Sequence, residues 1–230
     1  MTLEELIYQV YELLEINTDD SSTDDRLIES LIVQQRALWL RNEYNKNRTI
    51  DTNVQQDLGC VELIEVDRSE CCDAPIGCKI LRTKKPLPNT IEFHHDNAIL
   101  RVGPVDITSK AFKELIFPKE VPFFGNGRTN RNNIYWFLKN TKEGLHIYLL
   151  SREPNAMLIE QISVTGVWEN PREAGQYKNC DGKPCWTPND SYPINSWMWN
   201  YILPEVARLV DMKIKLPQDL DSNNKDDVKQ

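Results

Sequence analysis

Apolar residues recur at helical spacing from the first residues: Leu3, Leu6, Ile7, Val10, Leu13 and Leu14. Thr2 followed three residues later by Glu5 is a capping-box signature, so an amphipathic helix of about three turns is expected to start there. After the polar stretch Asn17 to Ser22, Thr23 or Asp24 is placed to cap a second helix whose early acids suit the positive end of the helix dipole. Leu27, Ile28, Leu31, Ile32, Leu38 and Trp39 line one side of it, which predicts an antiparallel helical hairpin over residues 1–50. The exposed end of this second helix is expected to carry Arg36, Arg41, Lys46 and Arg48. These form either a solvated charged face or a face toward an acidic partner or DNA.

The period then shortens. Val61 to Val66 and Lys79 to Thr83 read as strands, with a possible helical turn over Asn53 to Leu58 before them. Ile91 to Phe93 and Ile99 to Val102 flank a turn-like His95-Asp96-Asn97, predicting a hairpin. The strongest signal is a second hairpin, with Ile134 to Leu138 as one arm, Leu145 to Leu150 as the other, and the polar Lys139 to Gly144 as its loop. Ser109 to Phe117 fits either a short helix or an extended wrap, and Met157 to Trp168 adds a further strand. Residues 51–175 therefore form a β-rich region and 176–192 a polar insertion. Residues 193–213 form a helical segment in which Pro204 is expected to produce a kink, and 214–230 a flexible C-terminal arm. The fold class is α+β: an N-terminal helical hairpin and a C-terminal helix packed with an antiparallel sheet or sandwich.

Composition narrows the functional classes. With 40% hydrophobic and 27% charged residues, a chain of 230 residues can bury a core, and its net charge of −8 argues against a surface-wide nucleic-acid footprint. No basic leader precedes an apolar run and no run is long enough to span a bilayer, so cytosol-like conditions without a membrane partner are expected. Of six cysteines, only Cys180 and Cys185 approach the spacing of a zinc knuckle. They are weak metal candidates set against the expectation of reduced, partly buried thiols. The neighbours His94 and His95 point to opposite sides of a strand and cannot clamp a metal. The Gly125-Asn126-Gly127 loop lacks the Gly-Lys-Ser/Thr ending of a phosphate cradle, which leaves Arg128 and Arg131 as candidates to reach an acidic neighbour. No cofactor and no catalytic group is indicated.

The helical pair, the segment Val121-Pro122-Phe123-Phe124-Gly125-Asn126-Gly127-Arg128, the segment Ser163-Val164-Thr165-Gly166-Val167-Trp168-Glu169-Asn170-Pro171 and the late helix with its polar tail together resemble the head-to-tail connector proteins of crAss-like short-tailed phages. They are also similar to the tail tubular or gatekeeper adaptors of podoviruses. The resemblance implies a non-enzymatic virion protein of the neck, made in the bacterial host cytoplasm and assembled as a ring of twelve copies beneath the portal. Implied partners are the portal protein, neighbouring copies, the next tail ring and genomic DNA passing without sequence recognition. The arm with Leu216, Pro217 and Leu220 would seat on the portal or a sibling. Two rivals accompany this reading: a monomeric capsid or tail decoration module, and an Asp/Glu-dependent phage hydrolase built on a pair such as Glu169 and Glu173.

Overall fold

The computed structural model describes residues 1–14, 24–67, 79–94, 96–116, 133–151 and 154–215. Helix α1 (Leu3–Leu14) starts as expected: Thr2 N–H donates to Glu5 Oε2 at 2.9 Å while Glu5 N–H donates to Thr2 Oγ1 at 3.3 Å. Leu3, Leu6, Val10 and Tyr11 are its buried face, whereas Leu13 stays exposed. Helix α2 (Asp25–Asn47) is capped by Asp24, whose carboxylate accepts from Arg26 N–H at 3.0 Å. The two helices meet where Tyr11 donates to Asp25 at 2.7 Å.

Seven strands follow: β1 (Gln56–Asp67), β2 (Lys79–Thr83), β3 (Ile99–Gly103), β4 (Lys113–Glu114), β5 (Tyr135–Thr141), β6 (Gly144–Leu150) and β7 (Gln161–Gly166). They form one sheet in the order β3-β7-β1-β2-β6-β5-β4, antiparallel except for the parallel β4–β5 pair. The long β1 spans two neighbours, pairing its first half with β7 and its second with β2. A bulge at Gly59 and Cys60 interrupts the β7-paired half. The two ends of the strand order also meet, because Phe112 N–H, just ahead of β4, donates to Val102 O on β3 at 2.8 Å. That approach is close: a Cβ on Gly103 would lie 3.3 Å from Ala111 Cα.

Three local expectations are corrected. Val54 closes a short 3-10 turn (Thr52–Val54) and β1 begins at Gln56, so the helical turn is shorter and the strand longer than the pattern implied. Ile91–Phe93 is not an arm of a hairpin with β3. Thr90 bridges Trp168, Ile91 N–H reaches Val167 O, and β3 pairs with β7. In the central hairpin, Lys139, Asn140 and Thr141 belong to β5, leaving a two-residue turn at Lys142-Glu143. Gly144 takes φ +129, a value that favours glycine.

That hairpin is buried on both faces. Trp136, Ile147 and Leu149 enter the main core with α1, α2 and the C-terminal helix. Tyr135, Phe137, Tyr148 and Leu150 form a second cluster with Ile80 and Leu115. Phe137 and Tyr148 are direct cross-strand partners, stacked at 5.3 Å.

A short helix α3 (Pro171–Ala174) is capped by Asn170, and helix α4 (Ser196–Lys215) runs unbroken through Pro204. Met198, Trp199, Ile202, Val206 and Val210 face the core, with Trp199 Nε1 donating to Gln9 Oε1 at 2.5 Å. Trp197 and Tyr201 lie on the outer side of α4, where Tyr201 closes on the N-terminal hairpin by stacking on Trp39 of α2 at 5.1 Å.

Candidate functional site

Arg36 was expected on an exposed face, and the structure corrects this. It lies on the stripe Ile28–Ile32–Arg36–Leu40, at successive spacings of four, and this is the buried side of α2. Its guanidinium donates from Nε to Pro193 O at 2.7 Å, from Nη1 to Trp168 O at 2.8 Å and from Nη2 to Val54 O at 3.4 Å. It also sits over the Tyr192 ring at 5.8 Å. One side chain thus ties α2 to the 3-10 turn, the exit of β7 and the approach to α4. Burial lowers its pKa, partly offset by Tyr192, and burial pushes the Tyr192 phenol up to about 12.

The cysteines are also corrected. Cys60 and Cys180 are disulfide-bonded, with Cα atoms 5.2 Å apart, in place of reduced thiols. Cys180 therefore does not pair with Cys185 as a metal-ligand thiolate. Cys185 keeps its thiol, which donates to Asn179 Oδ1 at 3.1 Å, and burial raises its pKa. The physical reason is the β1 bulge, which directs Cys60 toward the small hairpin around Lys178 and Pro184. The 176–192 segment is polar in composition but anchored by buried Tyr177, Trp186 and Tyr192. Among the described residues no cluster of three His, Cys, Asp or Glu is arranged to hold a metal ion.

Arg41 is exposed and shares a different face of α2 with Gln34, Ala37 and Leu38. This face walls an open groove of about 700 Å³, closed on the far side by Asn140, Gly144 and Leu145 at the tip of the β5–β6 hairpin and floored by Ile91. Leu38 is 51% exposed there, and Glu92, Glu169 and Arg41 stand at the rim. Nothing in the local pattern marked this groove, because its walls come from residues 34–41, 89–92, 140–145 and 169. Glu173, one of the two acids weighed for hydrolysis, accepts from Asn89 N–H at 2.9 Å. Arg128, Arg131, Leu216, Pro217 and Leu220 lie outside the described residues.

A seven-stranded sheet packed with α-helices, with a buried arginine as internal tie and an open groove of mixed polarity on the surface, defines an α+β protein. The family follows from comparison: the model of phage tail ring protein 2 matches residues 5–228, and the chain belongs to that family. It is 29% identical over 240 residues to Ring protein 2 of Bacteroides phage crAss001, covering 99% of this chain and 98% of that protein. No described helix is long and apolar enough to cross a membrane.

Proposed function

We propose that this phage tail ring protein is a head-to-tail connector subunit, assembled in twelve copies beneath the portal and joining it to the next tail ring around the DNA exit channel. The observation that carries the reading is the family match over nearly the whole chain. The structure is compatible in two respects. Buried polar groups such as Arg36 and His146 are engaged in holding the fold, His146 Nδ1 lying 2.9 Å from Thr83 O. A net charge of −8 also disfavours adhesion of passing DNA to a channel wall. Portal docking falls to the arm carrying Leu216, Pro217 and Leu220, with Arg41, Arg128 and Arg131 toward acidic neighbours.

Electron cryomicroscopy of the portal vertex tests this. The expected result is a twelvefold ring of this chain between portal and tail. Density for the chain on the capsid surface or at the distal tail would overturn it.

A further inference from the structure

The loop that follows β3 is ordered around an exposed apolar tip. Asp106 accepts from Thr108 N–H at 2.9 Å, Thr108 Oγ1 at 2.7 Å and Ser109 Oγ at 3.1 Å. Arg101 reaches over from β3 to Ile107 O at 3.3 Å and Ser109 O at 3.4 Å. So held, the loop presents Ile107 at 68% exposure beside Val105, with Leu100 on β3 and Ile116 just beyond β4 also exposed. An ordered apolar projection costs little further entropy on docking. The exposed fractions of these four side chains correspond to roughly 350 Å² of apolar surface, and because interfaces are little more than half apolar this suits a contact of about 600 Å² per copy.

The loop and the α2 groove lie at opposite ends of the same strands. The loop leaves β3 at Gly103, which pairs with Ser163, whereas the groove residue Glu169 lies beyond the other end of β7, where Ile99 pairs with Gly166. β5 repeats the relation: Lys110 of the loop donates to Asn133 Oδ1 at 3.1 Å, just ahead of β5, while Asn140 near its far end lines the groove. Those two asparagines are separated by about 23 Å of extended chain. One chain thus carries an apolar projection at one end of these strands and, at the other, a groove of mixed polarity in which Leu38 offers exposed apolar surface, two different patches of the kind a head-to-tail contact between copies requires. The charges match as well: the projection bears Asp106 and Lys110, and the groove rim bears Arg41, Glu92 and Glu169.

We propose that the 104–110 loop of one copy seats Ile107 in the α2 groove of the next copy, over Leu38, Ile91 and Leu145. This rests on the ring reading above and adds the surfaces that close the ring. A zero-length carbodiimide cross-linker applied to intact particles tests it, because the separation within one chain makes a Lys110–Glu92 or Lys110–Glu169 link possible only between copies. The expected result is one of those links, together with a fall of about tenfold or more in incorporation of Ile107→Glu into particles. Ile107→Glu should melt as the wild type does, its side chain being exposed. Particles in which Ile107→Glu assembles normally, or in which Lys110 links only to other acids or other proteins, overturn the proposal while leaving the ring itself standing. Particles showing no ring of this chain overturn the reading beneath it.

Discussion

The β5–β6 hairpin and the joint around Arg36 are both buried, yet they are held in opposite ways. In the hairpin, neighbours in sequence become neighbours across the ladder, and apolar area on two faces holds it: Trp136 with Leu149 on one, Phe137 with Tyr148 on the other. In the joint, one cation gathers carbonyls of Val54, Trp168 and Pro193 from segments far apart in the chain, and the Cys60–Cys180 bridge fastens the adjoining insertion to β1. Apolar packing tolerates a change of shape by partial collapse. A polar hub does not, because each freed carbonyl stays buried without a donor.

The contrast can be broken most directly at its centre. Arg36→Ala should cost about 4–5 kcal/mol in equilibrium urea unfolding, and Arg36→Lys should recover little because one ammonium cannot replace a fork of donors. A loss below about 1 kcal/mol would show the hub to be dispensable. Phe137→Ala, which empties the centre of the second cluster, should cost about 3–4 kcal/mol by the same measurement.

Two further outcomes sharpen the difference. Replacing both Cys60 and Cys180 by serine should cost about 3 kcal/mol, with added reductant reproducing the loss in the wild type and leaving the variant unchanged. The joint should also respond to alkali. Buried Tyr192 titrates at about 12, above the ~10 of an unfolded tyrosine, so the folded chain retains a proton that the unfolded chain releases. Stability from this group is complete below pH ~10 and is lost as pH rises toward ~12, by on the order of 2 kcal/mol. Tyr192→Phe should flatten that decline in a series of unfolding midpoints. A residual slope should remain from Tyr177, whose pKa burial also raises.

The same contrast explains what could be read from the chain alone. The capping box at Thr2 and Glu5, the second helix and the central hairpin are local patterns, and each formed. The role of Arg36 was half legible: spacing of four from Ile32 and to Leu40 puts it on the apolar stripe, but its acceptors lie 18, 132 and 157 residues away. The Cys60–Cys180 pairing, 120 residues apart, follows from a bulge in β1 that residue propensity does not report. Ile91–Phe93 reads as a strand because alternation does not distinguish a ladder from an extended segment leaning on β7. The groove is assembled from four separate segments, whereas Asp106-x-Thr108-Ser109 is a turn signature that could have marked the ordered loop.

The meeting of Phe112 with Val102 bears on how such a subunit survives crowding. An open sheet offers a row of free amides and carbonyls that any other chain can zip onto, and many copies made together would multiply that hazard. Here the β3 margin is occupied by the subunit's own backbone, and the opposite margin is a two-residue strand bearing exposed Lys113 and Glu114. Among the described residues the two margins so guarded favour recognition between copies through side chains, which suits association that stops at a closed number instead of growing into fibrils.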